Sequence, residues 1–196
     1  MERMTRLEAV NSMLMNIRLA PVAAIDDLDT YHEGTLASSV LAMVTRDVLT
    51  PGWNFNTRRM TLSPEVDGLI PVPPHTIDVF VPQGHEQVFI DADNRLITFE
   101  GNKVFHNSVD CFIVIAPPWE QLPSALQSLC LHRASLSFRN KMRSSAGPDT
   151  RSLEMDIMRA EAAAKAWDLR QKRRSAIDTL KMSRYNSRNT PTIGGY

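Results

Sequence analysis

Cysteine is nearly missing from this chain of 196 residues: there are only Cys111 and Cys130, without ligand spacing or a pairing pattern. That excludes a disulfide framework and a cysteine-based metal cluster, and the two read as small buried apolar residues, free thiols of a reducing cytoplasm. Long apolar runs are missing as well. The longest, Cys111 to Trp119, falls far short of the ~18 residues that span a bilayer. Met1-Glu2-Arg3-Met4 opens no apolar signal segment, so neither membrane insertion nor export is expected. No phosphate-binding glycine loop, dinucleotide fingerprint or GxSxG elbow occurs. The histidines, His32, His75, His85, His106 and His132, lack HxxxH, HxxE or Cys/His spacing, so no metal and no other cofactor is expected.

What is present is enough to fold. Hydrophobic residues make up 43% and charged residues 22%, a composition that buries a core large enough to oppose chain entropy. The length fits one domain, or one domain with a modest second lobe. The formal charge is zero, but it is unevenly distributed. Residues 1–120 carry 8 basic and 16 acidic side chains, whereas residues 121–196 carry 14 and 6. Such a chain can pair head to side with its own copies, meet nucleic acid through its basic half, or simply solvate two faces.

Thr5 is placed to cap a helix with apolar positions Leu7, Val10, Leu14 and Ile17, which has stopped by Pro21. Thr30-Tyr31-His32-Glu33 has capping-box spacing, and Leu36, Val40, Met43, Val44 and Val48 then form a stripe ending before Pro51-Gly52. From Trp53 to Pro118 the texture is β-rich, with runs near Arg59–Leu62, Thr76–Val81, Gln87–Ile90, Arg95–Phe99, Lys103–Phe105 and Cys111–Ala116. Asp93-Asn94 and Gly101-Asn102 are natural hairpin turns, while Pro71, Pro73, Pro74 and Pro82 confine their neighbours to edges or loops. Pro123 opens a third helix with the stripe Leu126, Leu129, Cys130, Ala134, Leu136 and Phe138.

After Ser144-Ser145-Ala146-Gly147-Pro148, Asp149 or Thr150 starts a fourth helix that runs to about Lys181. Leu153, Ile157, Ala160, Ala164 and Trp167 give it one apolar face, interrupted at Arg170-Gln171-Lys172-Arg173-Arg174 near the expected end of the bundle. The fold expected is α+β: an antiparallel helix bundle from 1–52 and 121–182, an inserted small antiparallel β lobe from 53–120, and an extended polar C-terminal tail from 183–196.

Chemistry is sparse. Asp91-Ala92-Asp93-Asn94 opens like a calcium loop, but Arg95 and Leu96 stand where an oxygen ligand and a glycine belong, so a hairpin turn is expected. A carbohydrate-cleaving pair such as Asp91 with Glu100 stays open, because such pairs are defined in space. Across residues 170–196, Arg170, Lys172, Arg173, Arg174, Lys181, Arg184 and Arg188 face only Asp178. With Tyr185 and Tyr196 as its only aromatics, this segment suits phosphates without sequence reading, or an acidic protein surface.

The order of parts carries a resemblance. Leu7-Glu8-Ala9-Val10-Asn11 with Ile17 and Pro21, Gly52-Trp53-Asn54-Phe55-Asn56, Thr61-Leu62-Ser63-Pro64, and Pro123 followed by Arg133-Ala134-Ser135 and Phe138-Arg139-Asn140 resemble the tail tubular protein A family, the head-to-tail adaptor of short-tailed bacteriophages. The resemblance runs through most of 5–170. It implies a non-enzymatic virion component, assembled in the host cytoplasm, that forms a homo-oligomeric dodecameric ring between the portal protein and the hexameric tail nozzle protein. Such a ring continues the DNA channel for genome ejection, without sequence-specific contacts, and helps to seat tail fibres. The helices would form its body and the β lobe would project toward nozzle or fibres. The C-terminal arm, with Arg184, Tyr185, Arg188 and Tyr196 as anchors, would reach the portal. The basic helix end, Arg170, Lys172, Arg173 and Arg174, would face portal or channel, and Trp53 and Phe55 are expected to anchor the core at the junction of body and lobe.

Overall fold

The computed structural model describes residues 3–29, 31–82, 86–142 and 150–188. Helix α1, Arg6–Asn16, starts on a closed capping box: the Thr5 hydroxyl accepts the Glu8 N–H at 3.2 Å, and the Glu8 carboxylate accepts the Thr5 N–H at 2.7 Å. Those bonds hold the Glu8 carboxyl below its ordinary value. Ala9, Val10, Met13, Leu14 and Ile17 are buried.

Helix α2, His32–Leu49, begins without such a cap. Tyr31 occupies the cap position with no side-chain bond, and Thr30, whose spacing suggested a box, lies outside the described residues. The stripe also differs by one place: Ala37, Val40, Leu41, Val44 and Val48 are buried, whereas Met43 is 45% exposed. Leu41 takes the inward position that the three- and four-residue spacing had given to Met43.

Helix α3, Ser124–Lys141, and helix α4, Thr150–Arg188, complete the body. α1 packs on α2 and α3, α2 on α3, and α3 on α4. One cluster unites Val10, Leu14, Val44, Leu129 and Phe138 with Ala160 and Ala164. The small α4 residues let the helices approach closely, and Arg133 on α3 meets Glu161 at 3.1 Å. α4 is longer than the sequence suggested. It continues to Arg188, so residues 183–188, read as the start of a polar tail, are helical. That stretch holds no proline or glycine and therefore nothing that breaks a helix. Residues 189–196 lie outside the described residues.

Between α2 and α3 stand five strands: β1, Thr57–Leu62; β2, Thr76–Phe80; β3, Val88–Ile90; β4, Leu96–Thr98; and β5, Val109–Ile115. β5 lies between β1 and β2, antiparallel to both, while β3 and β4 form a separate hairpin. This lobe has its own core of Leu62, Ile70, Val79, Val88, Leu96 and Ile113.

The expected run Lys103–Phe105 is not a strand. The Gly101-Asn102 turn folds back on Thr98, whose N–H donates to the Asn102 carbonyl at 2.9 Å, and the chain then leaves to bond Phe105 N–H to Gly68 O at 2.8 Å. Both cysteines are free and buried.

Candidate functional site

The joint between body and lobe is built by Gly52-Trp53-Asn54-Phe55-Asn56. Gly52 has φ +78°, and a Cβ there would stand 2.9 Å from the Thr57 hydroxyl, so only glycine turns the chain here without strain. Trp53 is half-buried and packs against the body core, with its indole Nε1–H donated to Val48 O at 2.8 Å. Phe55 packs edge to face on Trp167 of α4, with ring centres 5.9 Å apart.

Asn54 is tied to the same helix. Its N–H and Nδ2 both donate to the Asp168 carboxylate, at 2.8 and 2.7 Å. Asn56, which the sequence did not single out, is the centre of the joint: its amide bonds to Trp53, Leu49 and Ile115 at once.

The remaining candidates divide clearly. Arg170, Lys172 and Arg173 are exposed on α4, just beyond the Asn54–Asp168 contact. Arg174, Arg184, Tyr185 and Arg188 follow on the same helix, and Tyr196 lies outside the described residues. The structure therefore gathers Trp53 and Phe55 with Trp167, and strings the basic candidates along one rod.

Nothing described resembles a catalytic centre. The Asp91 carboxylate accepts the Asp93 and Arg95 N–H groups, each at 2.9 Å, and Lys103 Nζ at 2.7 Å. Lys103 first, then the backbone donors, holds it below the ordinary carboxylate range, the opposite of what a general acid needs. Glu100 is exposed in the turn after β4. Burial pushes the Cys130 thiol up to about 12 and raises Cys111 as well, so neither is a ready nucleophile. Among the described residues no cluster could hold a metal ion, and no helix is long and apolar enough to cross a membrane. A cleft of about 640 Å³ between body and lobe is lined by Leu41, Arg46, His75, Ile77 and Trp119, with Glu120 its only carboxylate. It offers no pair of carboxylates.

The Asp91 contact has a testable pH signature. A carboxyl with a lowered folded pKa adds stability above its unfolded pKa, about 4, and loses it as pH falls through the folded value. The melting temperature of wild type should exceed that of Asp91→Asn by a constant margin near neutral pH, and the margin should close in acid. Thermal unfolding across pH checks this.

Several described surfaces are apolar and open instead. Phe89 and Phe99 are 49% and 79% exposed on the β3–β4 hairpin, and Met155, Met158 and Leu169 are exposed on α4. Exposed aromatic and methionine side chains grouped on one element mark a surface suited to contact with a partner. A family model described as tail tubular protein matches residues 7–176. The chain belongs to the tail tubular protein family. It is a structural component of a phage tail, which the open surfaces suit. A search of curated proteins finds no match.

Proposed function

We propose that this tail tubular protein is the non-enzymatic adaptor of a short-tailed phage virion. Its copies form a dodecameric ring between portal and tail nozzle, continue the channel through which the genome leaves, and help to seat the tail fibres. Residues 1–52 and 121–182 serve as ring body, 53–120 as projecting lobe and 183–196 as the arm toward the portal. DNA passes without sequence-specific contacts, and no membrane is involved.

The observation that carries this reading is α4. It makes its last described contact with the lobe joint at Asp168, yet stays helical to Arg188, roughly 30 Å farther at 1.5 Å per residue. Helices in proteins owe most of their stability to packing, so a rod of this length calls for another surface beside it. A free nucleic-acid-binding protein is less well supported, because the exposed face of α4 carries Met155, Met158 and Leu169 among its basic groups.

Sedimentation with purified portal tests the proposal. The chain should co-sediment as a multi-copy ring, and less of it should do so as salt rises, since exposed charges are screened beyond ~8 Å at physiological ionic strength. A chain that never joins the portal overturns the adaptor reading. A ring that ignores salt overturns the charge-assisted part of it.

A further inference from the structure

The hairpin β3–β4 is apolar on both of its faces. Val88 and Leu96 point into the lobe core. On the other side Phe89 stands opposite Ile97, and Phe99, two residues along the same strand line, brings its ring within 6.1 Å of Phe89. A two-stranded ribbon that shows aromatic rings to water has the pattern of a strand covered on both sides. Among the charged side chains of the hairpin and its flanks, Glu86, Asp91, Asp93 and Glu100 outnumber Arg95 and Lys103, and Lys103 bridges Asp91 and Asp93.

Helix α4 is likewise two-faced. Its inward stripe runs through Leu153, Ile157, Ala160, Ala164 and Trp167, the last four packed in the body cluster. Half a turn away, Met155, Met158, Ala162, Ala166 and Leu169 recur at three- and four-residue spacing and are all exposed. A second apolar stripe of this kind is what a helix between two neighbours shows. Arg151, Arg159, Lys165 and Arg173 fall within or beside it, also exposed. By helical periodicity Asp156, Glu161 and Asp168 turn toward the α3 side, Asp156 and Glu161 pairing with Arg159 and Lys165 on the way, while the exposed Glu154 flanks the outward stripe.

Both faces are open within one copy, so they do not cover each other there. We propose that the outer face of the β3–β4 hairpin of one copy, through Phe89, Ile97 and Phe99, seats on the outward stripe of α4 of the next copy, through Met155, Met158 and Leu169. The occupant is a second copy of this chain because one chain carries both halves of a match: a hairpin with an aromatic centre and a net acidic charge, and a helix stripe with a methionine centre and mostly basic neighbours. Thioether sulfur against an aromatic ring is a favourable pairing, and methionine adapts its shape to the ring it meets. The two surfaces differ, so the contact is head to side and repeats from copy to copy until it closes. This deepens the adaptor reading and rests on it.

The test uses the full chain in sedimentation velocity. Wild type should self-associate, less so at high salt. Phe99→Lys and Met158→Glu each replace an exposed side chain, so each should keep its melting temperature while association falls about tenfold or more. Mixing the two variants should restore pairwise association, because each retains one intact half, and the mixture should stop at dimers. In a second arm, Phe99→Cys mixed with Met158→Cys should give a mixed disulfide on mild oxidation, whereas Val66→Cys in place of Phe99→Cys should not. A wild type that stays monomeric, an association indifferent to both substitutions, a mixture that fails to dimerise or a missing mixed disulfide each overturns the interface. If copies still assemble on the portal in any of those cases, the adaptor reading stands and only this contact falls. If they neither self-associate nor join the portal, both fall.

Discussion

Asn56→Asp is expected to cost more stability than any other one-residue change at the joint, on the order of 3–5 kcal/mol. Asn56 is 3% exposed. Its Oδ1 accepts the Trp53 N–H at 2.7 Å, while Nδ2 donates to Ile115 O at 3.0 Å and Leu49 O at 3.3 Å. Its carbonyl accepts the Ile115 N–H at 2.9 Å. One side chain thus joins the end of α2, the turn and the start of the return to the body. Aspartate would keep the acceptor but set a carboxylate against two carbonyl oxygens, one of them at the negative end of a helix.

At ~2–4 °C per kcal/mol for a chain of this size, the melting temperature should fall by roughly 10 °C or more at neutral pH. The loss should shrink in acid, because the enclosed carboxyl would titrate above its unfolded value and become neutral. Asn56→Ala should cost less, about 2–3 kcal/mol, and show no such recovery. Thermal unfolding of the two variants at several pH values separates these outcomes, and an aspartate variant as stable as wild type would mean that the joint relaxes around position 56.

Much of the architecture was legible because it depends on periodicity and on chain breakers. Four helices and five of the six β runs follow from apolar spacing, with proline, glycine and asparagine turns between them. What was not legible depends on contacts distant in sequence. Asn56 and Gln127 are polar residues that periodicity assigns to no face. Yet Gln127 is buried, and it holds the N-terminal segment by donating to Met4 O and Trp119 O, each at 2.9 Å, and accepting Met4 N–H at 3.1 Å. Asp91 suggested either a calcium loop or an acid, and only the location of Lys103, twelve residues on, shows it serving the turn. The run Lys103–Phe105 has strand composition, but its Phe105 N–H meets the Gly68 carbonyl in a loop rather than a partner strand. The end of α4 was placed too early because a basic, polar stretch reads as tail, although nothing in it disfavours helix.

Deleting residues 183–196 should leave the melting temperature of the monomer nearly unchanged and remove most attachment to portal-bearing heads. The first half of the expectation follows from where α4 is held. Ala160 and Ala164 are buried against the body with Ile157 and Trp167 packed beside them, and Asp168 is bonded to the joint, all at least fourteen residues before the cut. Helical turns far from a packed face add little beyond their own marginal propagation energy. The second half follows from composition. The removed segment holds Arg184, Tyr185, Arg188 and Tyr196, the residue types that dominate binding energy when a partner surrounds them. With helix already formed to Arg188, the partner need not supply the backbone ordering of residues 183–188, about 1–2 kcal/mol for each. Attachment measured by co-sedimentation with heads should drop about tenfold or more, while thermal unfolding stays within the scatter of wild type. A clear fall in melting temperature would mean that this segment packs on its own body. Undiminished attachment would mean that the ring meets the portal through its helices and lobe alone.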